Sequence, residues 1–528
     1  MWEAMTVFWD RRRLVPLPVG VLGADARTRR ATSVALAAAV SGAALGAALA
    51  ELQVRSAIAV VVAATLLLLL AVARSVLRPM PVLPIGVTTD ADVQHERVAA
   101  RPSIEGRLLA VGRGLYLLGA AAIGLDSVRA AGFTASDWLF VAALGITALA
   151  VLRAGKVVPL DLPPLVLVGV ALFAVGGLVS SFHAARPLAS AAVVARVIYI
   201  TIPWFWIGTV LLRTKAQIEW AVTAWVVSVA LSGTGALAQL FLGNVIPGGD
   251  VSGGRESGFT FQYNILGGMT AVAFVPALMI AARSKGRKRL LMLPTVALIG
   301  AGLLLSGSIG GILAAAVTTA VWLVGSRQAV RTLAVFAVLG IGAALLFGAT
   351  GRAKSVLPTH RFSLVTSSDV SRTHGGTLYS RIDVYRAAWS RIGRDPLVGV
   401  GLDQTSAQVD GLQVHNLVLG PWFTAGILGV LGILVLIGSL TGVAFGVLRG
   451  AESADERLLA LSLALSFLTF VLFAMSEPIL YVRYGWAPVA FLLALRAHQR
   501  RRRQARAATA ADRHGLPAAL RSPLVHSA

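Results

Sequence analysis

Apolar runs of about twenty residues, the length a helix needs to cross a bilayer, alternate with polar segments along most of the chain. They predict roughly fourteen membrane helices. The first two cover about Ala31–Ala50 and Ala57–Ala73, and the polar stretch Arg74–Arg107 separates them from the rest. Spans then start near Leu108, Trp138 and Leu165, followed by about Ala189–Leu212, Ile218–Leu242, Ile265–Ala282, Leu290–Leu305, Ile309–Gly325 and Thr332–Gly348. A tight turn at Ser306–Ser308 divides two of these. After a long polar segment, about Ala349–Val414, three more follow: Gly426–Val447, Leu458–Met475 and Ile479–Leu495. No repeat of fixed period is present. The pattern is that of an all-α, polytopic integral membrane protein in five parts. These are an N-terminal segment with two extra helices and a basic linker (1–107), a membrane core (108–348), a large extracytoplasmic loop (349–415), C-terminal membrane helices (416–495) and a basic tail (496–528).

Composition sharpens this picture. Of 528 residues 56% are hydrophobic and only 13% charged, yet 47 Lys and Arg against 24 Asp and Glu leave a net charge of +23. A soluble domain carries about 25% charged residues, so a soluble enzyme, a disordered chain and a nucleic-acid-binding domain of the usual polar kind are all excluded. The basic excess follows the positive-inside rule. With a cytoplasmic N-terminus and alternating sides, 32 of the 47 basic residues fall on cytoplasmic segments. Every short inner loop holds at least two and no short outer loop more than one. Both termini are therefore expected in the cytoplasm, in a chain whose start lacks a signal-peptide core and cleavage site. The chain has no cysteine, which removes disulfides and thiolate metal sites. Neither an Asp-x-Asp pair, a metal-ligand cluster nor a Walker-type loop stands out, so no metal and no cofactor are expected.

The long outer loop is the exception to the charge pattern, with 8 basic residues; loops of this length translocate regardless of charge. Its first half, rich in Ser, Thr and Gly, reads as cover. In its second half, Tyr379, Ile382, Tyr385, Trp389 and Ile392 recur at helical spacing, with Arg381, Arg386, Arg391 and Arg394 on the polar face and Gly393 and Pro396 at the end. This predicts an interfacial helix. Its arginines have two roles open to them: contact with lipid phosphates, or a bidentate grip on a substrate phosphate. His415 and Asn416 follow where the chain re-enters the membrane, with Gly426 and Gly429 beyond a spacer of nine residues.

Those four residues fill a motif of the O-antigen ligase and polymerase family of membrane glycosyltransferases, which the sequence resembles from about Leu165 to Leu495. Arg381, Tyr385, Pro396, Gly399 and Gly401 match the stretch before that motif. Arg255, Gly258, Phe259 and Asn264 match an upstream outer-loop motif. Two departures stand out: Ile309 occupies a position where many relatives have Arg, and Tyr263, not Pro, precedes Asn264. The resemblance implies a GT-C-like core of about twelve helices with the N-terminal pair added, in a bacterial cytoplasmic membrane.

The family transfers a glycan from an isoprenoid (undecaprenyl-type) diphosphate to a hydroxyl of a glycan or glycolipid acceptor, with inversion and without a metal. Carried over residue by residue, this makes His415 the general base, a role suited to an imidazole that ordinarily titrates near neutral pH. It makes Arg255, Arg381 and Arg386 the diphosphate ligands, and Asn416, Gly426, Gly429, Asn264 and Tyr385 supporting positions. Arg196, a charge inside a span, is a secondary candidate: either it touches substrate or it forms an ion pair, with Glu477 for example, a partner that Arg483 would serve equally well. Tyr481, Tyr484 and Trp486 read as an interfacial aromatic belt. Membrane lipids are expected partners, nucleic acid is not. Two rivals remain: a transporter or flippase for lipid-linked glycan, and a peptidoglycan polymerase using Asp383, Asp403 or Asp410. Ligase and polymerase differ in acceptor alone, which the motifs leave undecided.

Overall fold

Each apolar run in the described part of the chain forms a helix. The computed structural model describes residues 104–130, 133–155, 160–243, 255–326, 378–477 and 480–513, with a few isolated positions besides. The first two predicted spans, nearly all of the one from Thr332, and the first half of the outer loop lie outside the described residues. The helices are α1 (Ile104–Ala122), α2 (Ala135–Arg153), α3 (Pro164–Ser181), α4 (Pro187–Thr201), α5 (Pro203–Leu211), α6 (Lys215–Leu242) and α7 (Tyr263–Arg283). They continue as α8 (Gly286–Leu305), α9 (Ile309–Ser326), α10 (Leu378–Arg394), α11 (Leu419–Arg449), α12 (Ala454–Ala474) and α13 (Arg483–Arg513). Two hairpins of two-residue strands, β1–β2 (Arg129–Ala130 with Phe133–Thr134) and β3–β4 (Gln408–Val409 with Leu412–Gln413), are antiparallel. Eight of the described helical stretches are long and apolar enough to cross a membrane, α4 and α5 counting together as one broken span. The protein is a polytopic membrane protein.

Local chemistry sets several boundaries. Pro203 has no N–H to donate and starts a new helix after Ile202, which divides the predicted Ala189–Leu212 span into α4 and α5. Thr134 caps α2 in a reciprocal capping box with Asp137, and Thr214 does the same for α6 with Gln217. Two predicted boundaries move. Helix α11 begins at Leu419, ahead of Gly426, which stands inside it at a kink. Helix α13 runs through the last apolar span and on into the basic tail as far as Arg513.

Helix α7 is the hub, buried along nearly its whole length and packed by α6, α8, α9 and α12. Tyr484 and Trp486 correct the aromatic-belt expectation. Both are buried, and the Trp486 ring packs between Phe205 and Phe470 in the core. The most extensive helix pair is α3 with α11. A Cβ on Gly169 would lie 2.7 Å from the Leu436 nitrogen, and one on Gly432 only 2.4 Å from the Phe173 nitrogen, so glycines on both helices let the backbones touch.

The connections gather at two ends. At one end, Arg500 pairs with Asp161, Arg502 with Glu456, and Arg283 with both Glu219 and Asp455. His498 and Arg501 meet the Arg213 carbonyl there as well. These are the loops that charge assigned to the cytoplasm. Several tail arginines thus staple neighbouring loops. At the other end lie the segments assigned outside: the α1–α2 connection, the α3–α4 turn, residues 255–262, the α8–α9 turn, α10 with the loop after it, and the α12–α13 connection.

Candidate active site

Helix α10 brings the outer loop down onto this second end. Its buried stripe is Val384, Ala388 and Ile392, packed with Val414 and Phe423. This is a rotation from the stripe read in the sequence: Trp389 is 59% exposed and edges against Trp422. The rotation separates the arginines. Arg381 falls one turn before Val384 and Tyr385 and faces inward. Arg386 has a side chain 78% exposed and, among the described residues, pairs with Asp383 on the same outer face.

The chain then docks on the start of α11. Val400 and Gly401 donate their N–H groups to the carbonyls of Phe423 and Thr424. A Cβ on Gly399 would lie 2.2 Å from the Thr424 carbonyl carbon, and one on Gly426 the same distance from the Leu397 oxygen. Gly426 has φ 70 and ψ −167, a conformation essentially confined to glycine. The motif glycines therefore shape the backbone that carries the site. Asn416 does related work: its Oδ1 accepts from the N–H groups of Val418 and Leu419, both at 2.9 Å, and satisfies the first donors of α11. Tyr385 donates its hydroxyl to the His415 carbonyl. Burial pushes that phenol above its ordinary pKa, while Arg381 nearby acts in the opposite direction.

Glu477, from the α12–α13 connection, joins these parts. Its side chain is only 8% exposed, with Oε1 3.2 Å from Arg381 Nη2 and Oε2 3.2 Å from His415 Nδ1. Arg381 Nη1 also donates to the Ser476 carbonyl at 2.9 Å. The His415 contact has ion-pair distance without hydrogen-bond alignment, and Nδ1 is buried with no other partner among the described residues. Beneath this cluster opens a largely apolar pocket lined by Phe173, Val197, Leu402, Asn416, Glu477 and Tyr481, among others.

Arg255 reaches the same end by a neighbouring route. It donates to the Ser306 carbonyl at 2.7 Å and to Asn264 Oδ1. Its guanidinium stacks over the Tyr263 ring at 3.6 Å, so the residue that departs from the family pattern holds the arginine by a cation–π contact. The α8–α9 turn connects the two arginines. Ser306 carries the carbonyl that Arg255 holds, and Gly310 abuts Ser476, whose carbonyl Arg381 holds.

The remaining candidates lie elsewhere. Arg196 has no hydrogen bond or ion pair among the described residues; Asp137 and Arg483 act on it through space, as does Tyr481 at the pocket. The expected Arg196–Glu477 pair does not form. Arg483 pairs instead with Asp137 in a buried contact and approaches Asp126 at 3.7 Å. Asp383 is on the outer face of α10, Asp410 is in the β3–β4 turn with φ 52, and Asp403 accepts from the Ser406 N–H; none touches His415. Among the described residues no group of three or more His, Asp or Glu is arranged to hold a metal ion. Glu477 is the residue that sequence reasoning misassigned. Its signal was a lone carboxylate in an apolar stretch, and nothing in the chain told which cation it would meet.

Residues 294–434 fit the family model described as O-Antigen ligase, a stretch that contains Arg381, His415, Gly426 and Gly429 but neither Arg255 nor Glu477. No curated protein matches the chain. The match supports the resemblance carried by the motifs between Arg381 and Gly429, and residues 294–434 of this polytopic membrane protein are similar to the O-antigen ligase family.

Proposed function

We propose that the protein transfers a glycan from an isoprenoid diphosphate to a hydroxyl acceptor on the outer side of a bacterial cytoplasmic membrane. In this reaction the acceptor oxygen attacks the anomeric carbon and its proton passes to His415 Nε2. The bond from that carbon to the diphosphate oxygen breaks with inversion, and the lipid diphosphate departs. Arg381 and Arg255 neutralise its growing charge, so the chemistry needs no metal. Arginine fits because its planar fork makes paired bonds to phosphate oxygens, and donors held in place where charge develops act as electrostatic catalysts. Arg196 is a second-rank cation for the same anion. The apolar pocket suits the first isoprene units of the donor.

One observation carries this reading: His415 and the inward arginine Arg381, both inside the stretch that matches the O-antigen ligase model, share the carboxylate of Glu477, which lines an apolar pocket. The test is made in cells lacking the protein. Mass spectrometry of their surface polymers and lipid fraction is expected to show a missing polymer and an accumulated lipid-linked glycan. Wild type restores the polymer, whereas His415→Ala, inserted to the same level, loses about 10²–10⁴-fold in transfer. Full transfer by that variant would rule out His415 as base. Failure of any lipid-linked glycan to accumulate would rule out the reaction.

A further inference from the structure

We infer that Glu477 is a positioning residue that joins the base to the cationic clamp, a role that rests on the reaction proposed above. Its carboxylate is the one group within reach of His415 Nδ1 among the described residues, at 3.2 Å, and that nitrogen is otherwise buried without a partner. A carboxylate at Nδ1 holds the proton there and leaves Nε2 as the basic nitrogen turned to the acceptor. Hydrogen bonds of this kind are often poorly aligned before substrate arrives and tighten in the complex. When Nε2 takes the acceptor proton, the imidazolium forms beside a buried anion, as in hydrolases where a carboxylate orients the catalytic histidine.

The other oxygen of the same carboxylate holds Arg381 at 3.2 Å. Glu477 therefore connects three separate elements: α10, the loop before α11, and the α12–α13 connection. A donor diphosphate that takes the fork of Arg381 leaves the His415 Nδ1–H as the remaining donor to the carboxylate. Donor binding thus strengthens the hold on the base before the proton moves. Glu477 lies outside the stretch that matches the family model, so the chain completes the site from a segment the motif does not contain.

The experiment uses full-length protein in proteoliposomes. Its donor is the lipid-linked glycan extracted from cells lacking the protein, and membranes of those cells supply the acceptor. Glu477→Gln is expected to lower kcat about 10²–10³-fold, with donor KM within about threefold. In the His415→Ala background the same substitution is expected to cost much less, because the part of its effect that acts through the base is already gone. Glu477→Asp, which keeps the charge and so guards against a folding artefact, is expected to recover part of the kcat loss. The inference is overturned by kcat of Glu477→Gln within about threefold of wild type, or by a rise in donor KM alone. It is equally overturned by an undiminished penalty in the His415→Ala background. An inactive His415→Ala beside a fully active Glu477→Gln sinks this inference and leaves the proposed reaction standing; an active His415→Ala sinks that reaction's base.

Discussion

Tyr385 donates its hydroxyl to the main-chain carbonyl of His415, so the interfacial helix α10 grips the backbone of the residue proposed as base. The contact ties the segment that carries α10 to the membrane body beside that residue. Tyr385→Phe keeps the ring in its half-buried place and removes the donor, which leaves the carbonyl unpaired. The expected loss is about 1 kcal/mol of stability and, through displacement of His415, about tenfold in kcat. Thermal unfolding and single-turnover transfer measure the two separately. Unchanged transfer would mean that α10 covers the site without aligning it.

The arginines of α10 separate by face, and this gives a contrast within one helix. Arg381→Lys keeps a positive charge but loses the fork that spans Ser476 and Glu477, so transfer is expected to drop by at least about tenfold. Arg255→Lys is expected to behave alike, since the stacked guanidinium over Tyr263 has no equivalent in an ammonium. Arg386→Ala is expected to stay within about threefold of wild type, because an exposed ion pair is worth about 0–1 kcal/mol. Transfer by the purified variants on extracted donor decides. Equal losses at Arg381 and Arg386 would show that α10 turns in the membrane to use both.

Helical spans were legible because they rest on a long-range average, the length of the apolar runs. The described helices follow the predicted runs, and the loops assigned inside gather at one end through contacts such as Arg500 with Asp161. Helix α10 was legible as an element but not in its orientation. Its aromatic residues suggested a stripe through Trp389, whereas small Ala388 lets α10 lie close on Val414 and Phe423. Packing distance, which periodicity does not contain, decided the face and with it the fate of Arg381. The Glu477 contacts were illegible for a related reason. A carboxylate in an apolar segment announces that it needs a cation, and Arg196, Arg381 and Arg483 were all within the range of possible topologies.

Gly426 offers a test of the kink that supports His415 and Asn416. Its φ of 70 with ψ −167 costs a side-chain-bearing residue about 1–3 kcal/mol, and a Cβ would also lie 2.2 Å from the Leu397 oxygen. Gly426→Ala is therefore expected to lower the unfolding temperature and abolish transfer together. Gly438→Ala on the same helix is the control, since nothing lies within 4 Å of its Cβ position. There alanine is expected to stabilise by about 0.5–1 kcal/mol, the helix-interior advantage over glycine. A mild Gly426→Ala would show that α11 straightens without cost and that the motif glycine is not a backbone device.

The buried pair of Arg483 and Asp137 anchors the start of α13, just beyond the connection that carries Glu477. Their side chains are 9% and 2% exposed, and Asp137 also closes the capping box of α2. Removing the cation alone leaves a buried carboxylate with its charge uncompensated, at a cost of about 3–5 kcal/mol. Arg483→Met is expected to show that loss in thermal unfolding. Adding Asp137→Asn is expected to restore part of it, because the charge is gone while the amide oxygen still caps Thr134. Such recovery is the signature of a coupled pair, in which the two changes cost less together than the sum of their separate effects. Strict additivity would mean that Arg196, which the same carboxylate influences, takes over as counter-ion when Arg483 is lost. In that case Arg196→Met in the Arg483→Met background is the variant that unfolds.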